Sequence, residues 1–477
     1  MPLILGTNSI KDTGFEVANS CRFNIADSAY LTTKTNGSEP TLGTKYTVSV
    51  WLKRSTLVNS SYQYIISHDG GSNPRTHIRF NDDQDNLSWY IRDSGGTTSM
   101  LTATRLFRDT NAWYHLVFAY DSTQASASNR QKIYVNGTQN TSFSSSGYVA
   151  QDVVNPFSAN GNASKIASFG GTASDYYGGY MSEFVFVDGQ ALTPTSFGEF
   201  DEDSPTIWKP INVSGLTFGN NGYYLDFEAS DNLGNDANGG TDFTENNLAA
   251  TDQTTDTPTN NFCTMNPLDN YYGAGTFSEG NLKIVTLSSD YTYYTGTIGL
   301  TAGLWYFEAK LTATADDNQV HVGIAGRVTT NAQHELGHYN DTYAYYSADG
   351  DSRTNDGDTS YGTGFDTGDV LGVYIDLNAN KLYFAKNGTV QNSGTGISIT
   401  DPASVTAGAY FPAVGDWANQ SCTWEVNFGN PSWSLSSAVA DKNGYGSFEY
   451  NPSSGTFDSA SKDFLAICTK NLGSDGG

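Results

Sequence analysis

The sequence predicts an all-β protein made of two β-sandwiches joined by an extended connector. Short runs of β-branched and aromatic residues, such as 46–52 and 370–375, recur along the chain and end in Gly, Asn, Asp or Ser. Helical periodicity is almost absent, and no heptad stretch encodes a coiled coil. Many short strands separated by turn signals are typical of β-sandwiches.

Charge and hydropathy exclude several classes of function. The 477 residues include 24 Lys and Arg against 50 Asp and Glu, which gives a net charge of −26. Such a charge repels phosphate backbones, so we expect no nucleic acid as a partner. No apolar run approaches the roughly 18 residues of a membrane span, so no membrane insertion is expected. Residues 1–7 lack the basic leader and long apolar core of a signal peptide, and cytoplasmic assembly is the expectation.

The cysteines carry no sign of a disulfide framework or a zinc ribbon. Cys21, Cys263, Cys422 and Cys468 are scattered without short spacings, and four are too few to staple a chain of this length. We therefore predict buried thiols.

Composition divides the chain into four segments. The first sandwich is predicted over 1–212, a connector over 213–265, the second sandwich over 266–432, and a C-terminal segment with one short strand over 433–477. The connector is polar and rich in turn residues, with a strand at 223–227. A floppy linker remains the alternative for this segment.

Two hairpins echo each other in the predicted sandwiches. In each, a strand ending in Asp is followed by a second strand and then by Asn-Gly, at 136–137 and at 387–388. Asn-Gly readily takes the positive φ that a two-residue hairpin turn requires. The same Asn-Gly-Thr triplets would be glycosylation acceptors in a secreted protein, but the turn interpretation is preferred.

Both sandwiches resemble known families. The residues that carry the likeness are 50–51, 113–117, 120–121, 134–137, 178–184 and 190–193 in the first segment, and 303–308, 322–325, 365–373, 382–388, 411–415 and 426–429 in the second. On these residues, 14–210 resemble laminin-G-like, concanavalin-A-like lectin domains, and 270–430 resemble SPRY domains. The resemblance implies two concanavalin-A-like sandwiches of the jelly-roll type.

Segments outside the two sandwich cores carry a further likeness: 3–10 and 20–24 near the start, and 246–249, 256–263 and 466–472 later in the chain. Together with the pairing of the two modules, they resemble virion proteins of tailed bacteriophages. The resemblance implies a non-enzymatic virion surface protein, a tail-fibre or appendage subunit that binds host-surface polysaccharide. It further implies other virion proteins as partners and a homo-oligomer, with a trimer favoured. The alternative is a purely structural virion component, a head fibre, decoration or tail scaffold without a glycan site.

Two motifs resemble catalytic sites, and neither predicts an enzyme. The segment 334–338 reads His-Glu-Leu-Gly-His and matches HExxH, but that zinc motif needs a helix, and here it contains Gly337 and lies in a predicted loop. Incidental loop residues are the preferred interpretation, so no metal is predicted. The acidic segment 199–203 is the nearest match to a glycosidase carboxylate strand, and a solvated turn is preferred. A glycan depolymerase is thus the least favoured class, and no catalytic residue is predicted.

Aromatic residues beside polar loops are the stronger binding signal. Sugar rings stack their C–H faces on aromatic rings, while Asp and Asn bond to hydroxyl groups. No cofactor is predicted, although calcium in the acidic loops 349–358 or 82–85 stays open as an alternative. The predicted glycan-binding candidates are Asp175, Tyr176, Tyr177, Tyr343, Tyr346, Tyr361 and Trp417.

Overall fold

The structure is a computed structural model that describes residues 14–35, 38–57, 61–69, 73–82, 84–157, 163–170, 173–202, 204–270, 273–287, 291–314, 319–328, 334–417 and 421–475. Residues 3–10, which carry part of the resemblance to virion proteins, lie outside this range. The described chain divides between Thr259 and Asn260 into two compact units. Each unit is a β-sandwich around its own apolar core, as the sequence predicts.

The first unit is built from short strands joined by turns. They are β1 Ser20–Phe23, β2 Tyr30–Thr35, β3 Lys45–Arg54, β4 Gln63–Asp69, β5 Arg75–Phe80, β6 Asn86–Arg92, β7 Thr98–Leu106, β8 Trp113–Asp121, β9 Gln131–Val135, β10 Thr138–Asn140, β11 Phe143–Ser146, β12 Ala163–Ile166, β13 Gly179–Asp188, β14 Gly198–Phe200, β15 Trp208–Pro210, β16 Tyr223–Leu225, β17 Thr244–Asn246 and β18 Gln253–Thr254.

Two antiparallel sheets face each other in this unit. One has the order β10-β9-β8-β3-β13-β1-β18, with β16 beside β13, and the other has the order β11-β7-β6-β5-β4-β12-β2-β17. Alternate residues of β3, such as Val48 and Val50, point into the core between the sheets. The outer face of the same sheet is also covered, because Phe197, Val213 and Phe218 pack over it in a second apolar cluster.

A buried histidine joins that covering segment to the sheet. The Trp208 indole Nε1 donates to His115 Nδ1 at 2.9 Å, and His115 Nε2 lies 2.8 Å from Ser49 Oγ. Because an indole N–H only donates, Nδ1 holds the lone pair and Nε2–H donates to the serine. Burial lowers the pKa of His115 to about 3, so the ring is neutral.

The segment predicted as a connector lies on the first sandwich over 213–259. Its strands β16, β17 and β18 pair with β13, β2 and β1, so they extend both sheets. The physical reason is the apolar content of the segment. Leu225, Phe227 and Leu233 are buried in the first core, and this burial stabilises the fold, whereas in an extended linker the same side chains would be exposed to water. The polar turns between them remain at the surface.

Among its described residues, the second unit has its own strands and one short α-helix. They are β19 Met265–Asn270, β20 Thr276–Ser278, β21 Lys283–Val285, β22 Thr292–Gly296, β23 Leu304–Thr314, β24 Val320–Ala325, β25 Thr342–Tyr346, β26 Ser352–Thr354, β27 Gly357–Thr359, β28 Val370–Asp376, β29 Lys381–Lys386, β30 Thr389–Val390, β31 Ile397–Ser398, β32 Phe411–Asp416, β33 Cys422–Asn427, β34 Leu465–Ala466 and α1 Thr469–Asp475.

These strands again form two sheets. One has the order β19-β22-β32-β24-β25-β26-β27, and the other β20-β21-β33-β23-β28-β29-β30, with β31 beside β29 and β34 beside β23. The C-terminal segment is part of the unit, since β34 pairs in parallel with β23. The sequence predicts a strand at 464–469 followed by fraying residues, whereas the strand is shorter and α1 follows it. Burial of Leu472 in the second core accounts for that helix.

Both predicted Asn-Gly turns are confirmed. Asn136 and Gly137 have φ of 47° and 77°, and Asn387 and Gly388 have 46° and 76°. The Asn side-chain oxygen accepts from the amide of His115 in one hairpin, at 2.8 Å, and from that of Val370 in the other, at 2.9 Å. The echo in sequence therefore corresponds to the same local structure.

The remaining sequence predictions about the chain as a whole concern thiols and membranes. All four cysteines are buried thiols, as predicted. Within the described ranges, the helices include none with the length and apolar character of a membrane span.

Candidate ligand-binding site

The candidate site lies at one edge of the second sandwich, on the meander of β25, β26 and β27. Tight turns join these strands, with Gly350 at a φ of 78° and Asn355 and Asp356 at 51° and 59°. Ala344 of β25 pairs with Arg353 of β26, which pairs in turn with Asp358 of β27. The meander thus places Arg353 at the centre of the sheet edge.

Arg353 is the hub of this edge. Its guanidinium Nη1 lies 2.7 Å from Asp358 Oδ1, and Nη2 lies 3.0 Å from Glu335 Oε1 and 3.4 Å from Asp356 Oδ1. Desolvation alone would lower the pKa of Arg353, but the hydrogen bonds to Asp358 and Glu335 outweigh it and raise that pKa. The arginine is therefore a fixed cation that links the turn at Glu335 to the hairpin of β26 and β27.

A cleft of about 210 Å³ opens beside Arg353. Tyr343 and Tyr361 line it, and both rings are largely buried, at 5% and 6% exposed. The Tyr343 hydroxyl is engaged by the protein, since it donates to the Asn340 carbonyl and accepts from the Thr400 amide. The polar side chains of the lining are Ser352, Arg353, Thr354, Thr359, Ser360 and Asn392.

An aromatic pair lies beside Arg353. The rings of Tyr346 and Trp417 are 5.7 Å apart, and the Arg353 guanidinium carbon sits 4.8 Å from the centre of the Trp417 ring. Buried His321 stacks on Tyr346 at 5.1 Å. Desolvation, reinforced by the charge of Arg353, lowers the pKa of His321 to about 3. Four of the predicted glycan-binding residues thus meet around one arginine.

The other predicted site residues lie in the first unit. Tyr177 is buried, and its hydroxyl donates to the Lys53 carbonyl at 3.0 Å, so its ring serves the core. Tyr176 is half-buried against Tyr30, with its hydroxyl bonded to the Ala173 carbonyl at 3.1 Å. Asp175 has a φ of 51° and accepts from the Ser174 hydroxyl at 3.0 Å. These three residues do not join the cleft of the second unit.

The acidic loops that the sequence leaves open for calcium are tied to protein cations. Asp85 is buried and pairs with Arg54 at 2.9 Å and with Arg108 at 3.2 Å. Asp83, between Asp82 and Asp85, lies outside the described residues. In the second unit, Asp356 and Asp358 pair with Arg353, as described above. Cationic neighbours of this kind compete with a calcium ion for the same oxygens.

The HExxH segment is gathered without a helix. His334, Glu335 and His338 each offer a ligand atom, and these atoms lie within 4.8 Å of one another. The two imidazole rings stack, with centroids 3.6 Å apart and planes 5° from parallel. Desolvation, followed by the charge of His338, lowers the pKa of His334. The residue pattern is therefore a compact cluster of potential metal ligands in a turn.

The acidic segment near residue 200 is a surface hairpin. Glu199 and Asp201 lie 3.7 Å and 3.2 Å from the Lys209 ammonium, and the Glu199 side chain is 58% exposed. Asp203 lies outside the described residues. This geometry matches the solvated acidic turn that the sequence favours.

Sequence reasoning missed Arg353 as the centre of the site. The available signal is its position as the only basic residue in the acidic stretch 349–358. A lone cation among four aspartates has several possible partners close by in the chain, which marks it as a candidate hub. Its closeness to Trp417 and Glu335 is not encoded locally.

Comparison with known proteins defines the two domains. Residues 26–196 match the family described as the concanavalin A-like lectin/glucanases superfamily, of the laminin-G type, and residues 304–431 match the SPRY domain. The chain therefore contains a concanavalin A-like domain and a SPRY domain, which confirms the predicted combination. Domains of these two types are typically binding modules without catalysis.

Relatives share only a part of this chain. Ran-binding protein 9 of Mus musculus is 32% identical over 100 residues, which cover 21% of this chain and 14% of that protein. Ran-binding protein 10 of Danio rerio is 31% identical over 100 residues, which cover 21% of this chain and 16% of that protein. This chain thus spans about a seventh of the length of these curated relatives. The crystal structure of the SPRY domain of human HERC1 aligns with a TM-score of 0.29 at 18% identity, covering 34% of this chain and 96% of that one.

Proposed function

We propose that this protein is a non-enzymatic surface component of a tailed-bacteriophage particle, a tail-fibre or appendage subunit that binds host-surface glycans. The observation that carries the proposal is the cleft at Arg353, where aromatic rings and hydroxyl side chains share one small cavity. The virion role rests on the resemblance of the module pair, and the cleft supplies a place for the ligand. Synthesis and assembly take place in the host cytoplasm under this proposal.

The chemistry of the cleft suits a neutral sugar. Tyr343 and Tyr361 contribute the small exposed parts of their largely buried rings to the lining, and the serine, threonine and asparagine side chains around them can exchange hydrogen bonds with hydroxyl groups. The Arg353 charge is already met by Asp356, Asp358 and Glu335, so an anionic sugar gains little there. The surplus of carboxylates disfavours acidic polysaccharides further.

The volume of the cleft sets the size of the ligand unit. At about 210 Å³ it is smaller than the roughly 300–1,000 Å³ of typical small-molecule sites. We therefore propose that it takes one terminal or branching sugar unit of a polysaccharide, with weak affinity at each site. A homo-oligomer, a trimer docked on other virion proteins, raises the effective concentration of binding sites, so that individually weak sites hold the particle on its host.

A glycan array with the purified, assembled protein tests the proposal. The matched variants are Ser360→Trp, which fills the cleft from an exposed position, and Ser437→Trp, which adds the same ring at an exposed position outside the lining. We expect binding to a limited set of bacterial polysaccharides that Ser360→Trp abolishes and Ser437→Trp retains. The array is run with calcium and with chelator, so that an ion requirement is visible.

Two outcomes would redirect the proposal. Glycan binding that survives Ser360→Trp would move the ligand away from the cleft, with the loop of Asp175 and Tyr176 in the first unit as the next site to mutate. No binding by a folded, assembled sample would favour the structural alternative, a head fibre, decoration or tail scaffold without a glycan site.

A further inference from the structure

The turn over residues 335–338 brings two histidines together. The His338 amide donates to the Glu335 carbonyl at 3.3 Å, and Gly337 takes a φ of +95°. A Cβ atom on Gly337 would lie 2.9 Å from the Arg353 backbone, so glycine is required by both conformation and space. In this turn His334 and His338 lie close together, as the two histidines of a zinc-protease motif do on a helix.

The three side chains of this turn have the spacing of metal ligands. One ring nitrogen of His334, one of His338 and a carboxylate oxygen of Glu335 lie within 4.8 Å of one another. Zinc bonds to nitrogen and oxygen are about 2.0–2.2 Å long, so ligand atoms on one ion lie roughly 3–4 Å apart. Binding one ion requires the two stacked rings to turn out of their parallel arrangement, so that the in-plane lone pairs of both histidines point at the same ion.

Two neighbours orient the ligands in the manner of a metal site. His338 Nδ1 lies 2.8 Å from Asp356 Oδ1, and an ionised carboxylate only accepts, so the proton is on Nδ1 and the lone pair is on Nε2. Arg353 Nη2 donates to Glu335 Oε1 at 3.0 Å and holds that carboxylate in place. A histidine backed by a carboxylate and a hydrogen-bonded glutamate are the outer contacts that metal ligands usually have.

The local charge matches a divalent cation. Glu335, Asp356 and Asp358 surround Arg353, and three carboxylates against one guanidinium leave two negative charges. Imidazole ligands select zinc, nickel, cobalt or copper over calcium and magnesium. Arg353 bonds to Oε1 of Glu335, so Oε2 is the oxygen that would reach the ion, and this glutamate is not placed to act as a general base.

We propose that His334, Glu335 and His338 bind one divalent transition-metal ion of the zinc class, with water completing its coordination. The site is structural. The ion holds His338 in place, and His338 contacts Asp356, so the ion strengthens the link between the 334–338 turn and the hairpin of β26 and β27. The proposal is independent of the glycan-binding function, because none of its ligands lines the cleft.

The test is metal binding by the full, tag-free chain. Zinc is measured by equilibrium dialysis with elemental analysis, and Co²⁺ serves as a spectroscopic probe whose visible bands report nitrogen and oxygen ligation. We expect one equivalent per chain. His334→Gln and His338→Gln each lower the affinity by tenfold or more, and Asp356→Asn lowers it by about tenfold, as outer contacts of metal ligands do. Asp349→Asn, which removes a nearby carboxylate outside the cluster, leaves the affinity unchanged.

Binding far below one equivalent at saturating zinc would overturn the proposal, as would equal binding by the double variant His334→Gln/His338→Gln. If a variant fails to fold by circular dichroism, the wild-type chain still decides. Zinc must then protect His334 and His338 from diethyl pyrocarbonate, read by mass spectrometry. Equal modification of both histidines with and without zinc would also overturn it.

Discussion

Gly137 and the indole of Trp208 are in such close contact that a Cβ atom on Gly137 would lie 2.4 Å from a ring carbon. The second sandwich repeats the arrangement, because a Cβ atom on Gly388 would lie 2.5 Å from the Tyr450 ring. Each Asn-Gly turn is therefore covered by an aromatic ring from a later segment of its own unit. The ring adds a steric requirement for glycine to the requirement for positive φ.

Gly137→Ala should destabilise the first unit by about 2–4 kcal/mol, because it combines strain at positive φ with overpacking against Trp208. Gly239→Ala is the matched control: its φ is +81°, yet no atom lies within 4 Å of the added methyl group. Chemical denaturation should show a clearly smaller loss for the control, about 1 kcal/mol. Equal losses in both variants would mean that the ring moves aside and that the contact is not restrictive.

Glu183 should make the first unit less stable as the pH rises. Burial raises the pKa of its carboxyl to about 8, and the Tyr224 hydroxyl donates to it at 2.7 Å. A raised pKa in the folded state means that the stabilising contribution is complete below the unfolded pKa, near 4.3, and is lost as the pH rises through about 8.

Glu183→Gln should remove that dependence. Between pH 5 and pH 8 the free energy of unfolding of wild type should fall, relative to that of the variant, by up to about 1.4 kcal/mol per pH unit. Urea denaturation at several pH values measures this, with Glu199→Gln as an exposed control. A wild-type curve parallel to the variant's would show that Glu183 ionises normally in the folded protein.

Glu308 should hold the C-terminal segment on the second sandwich. Its buried carboxylate accepts from the amides of Glu449 and Tyr450, at 2.9 and 2.8 Å, and from Tyr306 and Asn427, both at 3.0 Å. Glu308→Ala leaves four donors without this partner and should cost at least about 3 kcal/mol, since each unsatisfied buried group costs about 1–3 kcal/mol.

Hydrogen exchange read by mass spectrometry should then show faster exchange over residues 436–457 in Glu308→Ala than in wild type. Glu308→Gln keeps an acceptor and should fall between the two. Unchanged exchange in the alanine variant would show that the segment is held by its aromatic contacts, such as Phe448 on Tyr306 at 5.0 Å.

Lys53 and Asp256 form a buried ion pair at 2.8 Å that fastens the end of the predicted connector to β3. Lys53→Met leaves a buried carboxylate without its cation and should cost about 3–5 kcal/mol. The double variant Lys53→Met/Asp256→Leu should recover most of that loss. If the double variant is as unstable as the single one, the loss comes from other contacts of these side chains, such as the hydrogen bond from the Trp113 indole to Asp256.

The sequence anticipates those parts of the fold that depend on neighbours along the chain. The strand at Trp305 to Lys310 is recognisable because its apolar residues run continuously, and the turns at Asn136 and Asn387 are recognisable because few residue pairs other than Asn-Gly tolerate their backbone. The covering of these turns by Trp208 and Tyr450 is not recognisable, since the rings arrive from remote segments.

The candidate site is anticipated only in part. Four aromatic residues are of the types that commonly bind sugars, and folding brings them near Arg353: Tyr343, Tyr346, Tyr361 and Trp417. Tyr177 is also a tyrosine in a polar sequence context, yet it is buried in the core. The sequence did not reveal this, because the residue type alone does not tell which face of the sandwich a ring occupies.

The sequence by itself determined the all-β class, the two sandwiches and their hairpin turns, because these follow from residue alternation and local backbone preference. Only the tertiary structure decided that residues 213–259 complete the first sandwich. It also decided that His334 and His338 stack in a turn, and that one arginine joins a cleft to an aromatic pair. Such outcomes depend on burial and charge pairing between residues far apart in the chain, whose energies exist only once the sheets have packed.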